Sequence, residues 1–351
     1  MRVVVTGATG NVGTSLVRAL VDDPRVEMVV GVARRLPGSQ PRGTEWHALD
    51  VGTDDLAPAM RGADAVVHLA WAIQPSRDMS RLWRTNVLGT ARVAEAAVAA
   101  GVGALIHASS VGVYSPGPKD RLVDESWPRQ GTPTSFYAVH KAECERRLDA
   151  LERHEPGLRV VRVRPGLTFK REAASGIRRL FTGPLLPSPL VRPSRLPAVP
   201  DIPRLRFQAV HTDDVAEGYR LLVAGEAAGA FNLAADPVLD PEALAEALEA
   251  RRVPVPTRVG RALVDLSWHM RLQPSPPGWL DMAVSVPLMD WSRARDELGW
   301  TPRRTSVEAL RELLEGMADG AGADTPPLSP GTGGPARLRE LAGGVGSREL
   351  G

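Results

Sequence analysis

The sequence predicts an α/β fold: a doubly wound parallel sheet followed by a smaller C-terminal substrate-binding subdomain. Three observations carry that prediction. The first half alternates short apolar runs with helix-length segments, the apolar runs lack polar alternation, and a glycine-rich turn follows the first of them at once. Strands that are apolar on both sides belong in a sheet covered on both faces, which parallel crossover connections produce.

Taken in order, "RVVVTG" reads as the first strand, and "GTSLVRALVDD" as a helix through the spacing of Leu16, Val17 and Leu20. "VEMVVGVA", "TEWHALDV" and "ADAVVHLAW" read as the second, third and fourth strands. "NVLGTARVAEAAVAAG" is an alanine-rich helix that Gly101 should stop. "ALIHASS" is a fifth strand, a helix runs from about Ser135 to His154, and "LRVVRVRPG" is a sixth strand. The sheet domain would therefore span residues 1–165, with ligands at the carboxyl ends of its strands.

Residues 166–210 are rich in proline and arginine and read as a long loop or lid. "HTDDVAEGYRLLVAG" then reads as an Asp-capped helix, "AFNLAA" as a strand, and "DPEALAEALEA" as a helix opened by Asp240 and Pro241. The substrate-binding part would span 166–318, with some segments returning to the sheet domain, and 319–351 lack apolar periodicity and are expected to be a disordered tail.

Composition narrows the function. With 43 basic and 41 acidic residues the formal charge is +2, and the arginines are interleaved with acids, so no nucleic-acid partner is expected. The single cysteine, Cys144, allows no intramolecular disulfide and no cysteine cluster, and it reads as a buried, inert helix thiol. The seven histidines show no HxxxH spacing, so no metal is expected. Without a signal-peptide pattern or a run of 18 apolar residues, the chain is expected to be cytoplasmic, with no membrane partner.

The chemistry-bearing residues begin at "VVVTGATGNVGTSL", where Gly7, Gly10 and Gly13 leave a strand and enter a helix. Glycine permits the tight turn and close backbone approach that let a pyrophosphate rest on the helix amides. Where the second strand ends, "GVARRLPG" offers Arg34 and Arg35, and no acid stands before Glu45. An acid there would accept from an NAD ribose hydroxyl, whereas arginines suit a 2′-phosphate. The expected cofactor is therefore NADP, with NAD as the alternative should both arginines be solvated loop residues. Farther on, "SFYAVHK" puts Lys141, one of three lysines, four residues after Tyr137, one of three tyrosines. On a helix these two share a face.

With "TGATGNVG", "HLA" at 68–70, "SSVGVY" at 109–114 and "YAVHK" at 137–141 in this order, the chain resembles the extended short-chain dehydrogenases/reductases, the NAD(P)-dependent epimerase/dehydratase-like proteins. The resemblance covers roughly residues 1–318 and includes "RPG" at 164–166, "HTDDVA" at 211–216 and "ARDELGWTP" at 294–302. It implies a Rossmann domain that holds the dinucleotide through Gly7, Thr9, Gly10, Asn11, Val12 and Gly13. Asp50 and Val51 would meet the adenine, Leu69 and Ala70 the adenosine half, and Pro165 also lies among the implied cofactor residues. Tyr137 would be the proton donor or acceptor at the substrate oxygen. Lys141 would hold the nicotinamide ribose and, with the cofactor's positive ring, lower the phenol's pKa from its ordinary ~10. Ser110 would hydrogen-bond the substrate oxygen, with Ser109 as the alternative, since a one-residue shift moves a strand side chain to the other face. Asn86 matches an asparagine that orders a proton-relay water, though a helix-start asparagine would look the same.

The substrate is less legible. Sugar-nucleotide members show Arg-Pro-x-Asn after the sixth strand, and here Leu167 stands where the amide would be. The serine loop also lacks the Thr-Asp/Glu pair of sugar 4,6-dehydratases. Lys170, Arg171, Arg178 and Arg179 would be solvated lid charges or phosphate contacts, and Trp268, Trp279, Trp291 and Trp300 are expected to be core packing. An oxidoreductase acting on a small carbonyl or alcohol with an apolar body is expected. The alternatives are a nucleotide-sugar epimerase or dehydratase and a non-catalytic redox sensor. A homodimer is a further expectation of the resemblance.

Overall fold

The computed structural model describes residues 1–74, 76–181 and 197–330. Its centre is a seven-stranded sheet of β1 (Arg2–Thr6), β2 (Met28–Ala33), β3 (Thr44–Ala48), β4 (Ala65–His68), β5 (Ala104–Ala108), β6 (Arg159–Pro165) and β7 (Gly229–Leu233). The spatial order is β7-β6-β5-β4-β1-β2-β3, and every pairing is parallel. The order reverses between β1 and β4, where Thr6 lies opposite His68, so a crevice opens at the carboxyl ends of these two strands.

The absence of polar alternation follows from burial on both faces. Val3 and Val5 of β1 point into one apolar layer with Leu16, Leu20, Val215 and Leu222, while Val4 points into the other with Val93, Ala97 and Leu148. The first layer is closed by α1 (Asn11–Val21) and α4 (Thr212–Ala224), the second by α2 (Gly89–Ala99) and α3 (Phe136–His154). Each fully buried valine or leucine contributes about 1.5–3 kcal/mol of transfer free energy. Polar residues at alternate strand positions would remove half of that gain.

The second half is more regular than the proline content suggests. Strands Leu167–Phe169 and Ala209–His211 pair with each other, strand Ala198–Asp201 pairs with Arg251–Pro254, and Ala174–Phe181 is a helix. The reason is local: residues 167–181 contain no proline. The densest part of the expected lid, 182–196, lies outside the described residues. Helix α6 (Ser306–Asp319) packs Leu310, Leu313 and Met317 against Phe169, Ala209 and Leu239. A further helix, α5 (Gly278–Ser285), lies against the start of α3.

Two expectations are corrected here. Helix α4 is capped not by an aspartate but by His211, whose Nδ1 accepts from the Asp213 amide at 3.1 Å. Residues 320–330, assigned to a disordered tail, are packed: Leu328 is 4% exposed, and the Asp324 carbonyl accepts from the Gly38 amide at 3.2 Å. Leu328 and three prolines in this stretch supply apolar surface that no helical or strand period announces. The rest of the expected tail, 331–351, lies outside the described residues.

Candidate active site

β1 is followed by Gly7, whose φ of +72° is a left-handed conformation that glycine adopts without cost. Its amide donates to the Val32 carbonyl at 2.8 Å, turning the chain across β2. A Cβ at Gly7 would lie 2.7 Å from the Ala70 nitrogen, and one at Gly13 only 2.3 Å from the Gly7 carbonyl oxygen. The turn is therefore closed to a side chain at both positions, and Gly10 precedes α1 with no side-chain cap. This is the cradle a pyrophosphate fits: bare backbone at the positive end of a helix.

A cavity of about 460 Å³ extends from this turn over the strand ends. Gly7, Thr9, Gly10, Asn11, Val12 and Gly13 line its floor, and Arg34, Arg35, Asp50 and Val51 line one end. Leu69 and Ala70 after β4, Ser110 after β5, Pro165 at the end of β6, and Tyr137 and Lys141 of the helix after β5 line it as well. All the predicted cofactor and catalytic residues except Asn86 thus border one cavity. Asn11 does so with its amide already engaged, donating to the Thr168 carbonyl at 3.0 Å and accepting from Thr212 at 3.1 Å.

Asn86 does not line the cavity. It is fully buried, with Oδ1 accepting from the Ala72 amide at 2.7 Å and Nδ2 donating to the Ala72 carbonyl at 2.8 Å. It pins the loop after β4, within a π-helical turn (Arg84–Leu88) leading into α2. Its backbone carbonyl accepts from Thr90 at 2.6 Å and from Cys144 at 3.4 Å. Cys144 is buried as expected, and burial pushes its thiol up to about 11.

The catalytic triplet comes from β5 and α3. Ser135 caps α3, accepting from the Ala138 amide, so Tyr137 lies in the first turn and Lys141 one turn later. Ser109 and Ser110 leave β5 in opposite directions. The Ser109 hydroxyl donates to Glu145 at 2.5 Å, inside a buried network where Arg164 pairs with the same carboxylate at 2.6 Å. Ser110 instead stands near enough to the Tyr137 phenol to favour its ionised form, and its hydroxyl accepts from the Gly112 amide at 3.1 Å. Of the two serines, only Ser110 meets the tyrosine.

Burial, opposed by the nearby Ser110 hydroxyl, raises the Tyr137 phenol above its ordinary value. The lowering by Lys141 expected from the sequence is not the controlling effect here. The ammonium donates to the Ala108 carbonyl at 2.6 Å and sits 5.8 Å from the phenol ring centroid. Burial lowers Lys141 itself to about 7.

Several other residues differ from expectation. Lys170 is neither a solvated lid charge nor a cavity residue. It is buried and donates to Thr14 at 2.6 Å and Ser15 at 3.1 Å, joining the 170 loop to α1. Arg171 pairs with Asp319 at 2.6 Å, Arg178 does not line the cavity, and the Arg179 side chain lies outside the described residues. Trp300 is core, its indole donating to the Asp214 carbonyl, and Trp291 packs edge-on against it. Trp268 is covered by the Arg77 guanidinium at 3.6 Å. Trp279, expected in the core, lines the cavity with its ring 5.0 Å from that of Tyr137.

Sequence reasoning missed Trp71, Met282 and the Pro326–Leu328 stretch, all of which line the same cavity. Trp71 follows the adenosine-side "HLA" by one position, the only sequence signal available for it. Among the described residues no three His, Cys, Asp or Glu side chains gather as a metal site. No described helix is long and apolar enough to cross a membrane.

The sequence model of the NAD dependent epimerase/dehydratase family matches residues 3–176. The chain belongs to that family. This epimerase/dehydratase-family chain is 29% identical over 319 residues to an uncharacterised protein of Mycobacterium tuberculosis, covering 89% of itself but only 30% of that relative. It is 28% identical over 346 residues to the 4-hydroxy-2-methyl-3-oxo-4-farnesyl-3,4-dihydroquinoline-1-oxide ketoreductase of Stigmatella aurantiaca, covering 92% of itself and 98% of that protein. Among solved structures it resembles the Thermus thermophilus UDP-glucose 4-epimerase complex with NAD. There the TM-score is 0.64, the identity 21%, and the coverage 90% of this chain and 99% of that one. This last likeness is one of fold.

Proposed function

We propose that the chain is an NAD(P)-dependent oxidoreductase acting at a carbonyl or alcohol carbon, with Tyr137 as general acid/base. One observation carries the reading: Tyr137 and Ser110 line the same cavity as the bare glycine turn, with Lys141 one helical turn along α3. The name of the Stigmatella relative, a ketoreductase matched over nearly its whole length, supports it. When bound, a nicotinamide dinucleotide supplies the hydride acceptor or donor. Residues 1–165 would hold it and residues 166–318 would shape the substrate end.

In the reducing direction the carbonyl π bond breaks, the carbon gains hydride, and the oxygen gains the Tyr137 proton while Ser110 donates to it. Lys141 would hold the nicotinamide ribose, and its positive charge would favour the tyrosinate that remains. Arg34 and Arg35, at the end of β2 with no neighbouring acid in sequence, favour NADP.

Tyr137→Phe should lower turnover about 100- to 10,000-fold while leaving dinucleotide affinity unchanged in a fluorescence titration. An undiminished rate overturns the assignment. Replacing Arg34 and Arg35 together by Ala should weaken NADPH more than NADH; equal effects on both would reject the phosphate contact.

A further inference from the structure

Tyr137 is flanked by two indoles that reach it from different parts of the chain. Trp71, in the loop after β4, meets the phenol ring edge-on at 5.8 Å between centroids, and Trp279 of α5 lies at 5.0 Å and 35°. Both have fixed supports. Trp71 rests on the Lys141 ammonium, 3.4 Å from its centroid, and Trp279 packs edge-on against Phe136 at 6.1 Å. α5 can approach this closely because Gly278 has no side chain; a Cβ there would lie 2.1 Å from the Thr134 carbonyl oxygen. Neither indole is fully buried, and both line the cavity.

Their neighbours in the lining are Ile73, Val111 and Met282. Gln74 also lines it, with Oε1 accepting from the Ser76 amide at 3.0 Å. Among the described residues, Lys141 is the only charged side chain lining the cavity apart from Arg34 and Arg35, which follow β2, and Asp50, which follows β3. Leu167 offers no amide, and Lys170 and Arg171 are engaged elsewhere. Among the described residues, the cations that would offset a diphosphate's desolvation are engaged elsewhere or stand after β2. A flat ring would instead find the faces and edges of two supported indoles.

We propose that the substrate is a ketone, or the matching secondary alcohol, carried on a planar aromatic ring system that packs against Trp71 and Trp279 with its oxygen at Tyr137 and Ser110. This rests on the oxidoreductase reading above and adds the substrate class. The reaction leaves the ring untouched.

The test compares 2-acetylnaphthalene with its fully saturated decalin counterpart, a similar carbon skeleton without the π faces. Binding is measured by calorimetry with NADP⁺ or NAD⁺ present, and turnover separately with the reduced cofactors. The aromatic ketone should bind about tenfold more tightly. Trp279→Ala should erase that ratio, and Trp279→Phe, which keeps an aromatic face, should restore most of it. Equal affinity for the two ketones, or a ratio unchanged in a folded Trp279→Ala protein, overturns the aromatic assignment while leaving the oxidoreductase reading intact. Failure to turn over either ketone with either reduced cofactor, despite aromatic preference in binding, overturns the oxidoreductase reading and the ketone with it. Tighter binding of UDP-glucose than of either ketone overturns both.

Discussion

Gly13 and the Ser109–Ser110 pair give the most local tests. A Cβ at Gly13 would stand 2.3 Å from the Gly7 carbonyl, a backbone atom that cannot swing aside as a flexible side chain can. Gly13→Ala must therefore deform the turn that receives the pyrophosphate, and dinucleotide affinity measured by titration should fall more than tenfold. The two serines should separate by readout. Ser110→Ala should lower kcat about 100-fold with little change in Tm, because it removes a hydrogen bond aimed at the reacting oxygen. Ser109→Ala should do the reverse, since its hydroxyl serves the buried Glu145 carboxylate. Leaving that oxygen short of a donor costs about 1–3 kcal/mol, read as a lower Tm with kcat nearly kept.

At the scale of elements, α3 joins chemistry to support on one face. Tyr137, Lys141 and Glu145 follow at four-residue steps, so the phenol and ammonium face the cavity while the carboxylate anchors the helix to Arg164. The segment after α6 has a different task. Gly320, with φ of +65°, ends the helix, and Ala323 and Leu328 close a turn through a 2.9 Å backbone hydrogen bond. This turn is tied to Gly38, close in sequence to Arg34 and Arg35, and it sets Leu328 into the cavity wall. Leu328→Asp places a charge in that apolar wall. Bound dinucleotide should then dissociate about tenfold faster in a stopped-flow displacement, with kcat little altered.

For the whole molecule, the buried imidazoles set the response to acid. Burial, with Lys141 adding repulsion, pushes His68 down to about 3 and His140 to about 4, and it carries His107 well below the usual range. Between roughly pH 4 and 6.5 the unfolded chain therefore binds protons that the folded chain refuses, and stability falls as the pH falls through that window. Each fully differing group contributes a slope of about 1.4 kcal/mol per pH unit. His107 is the informative position. Both its ring nitrogens are buried and find no hydrogen-bond partner among the described residues, and its ring stacks on His68 at 5.6 Å. His107→Phe should keep the stack, hold or raise Tm at pH 7, and flatten the decline of Tm between pH 6.5 and 4. An unchanged slope would mean that His107 does not contribute to it.

The sequence by itself determined the parallel sheet, because a strand apolar on both sides has nowhere to go except between two layers of helices. It also determined the glycine turn and the Tyr137–Lys141 pair, because each lies within one local element whose geometry the spacing dictates. Only the tertiary structure decided which serine faces the tyrosine, since that turns on the register of β5 against Glu145 of α3. It alone left Asn86 out of the cavity lining, buried Lys170 against α1, and brought Trp71, Trp279 and Leu328 to one cavity from positions more than 250 residues apart at the extremes. A tryptophan reads the same in sequence whether its ring fills a core or lines a pocket. What distinguishes the two is the packing of other segments around it, and no local period encodes that.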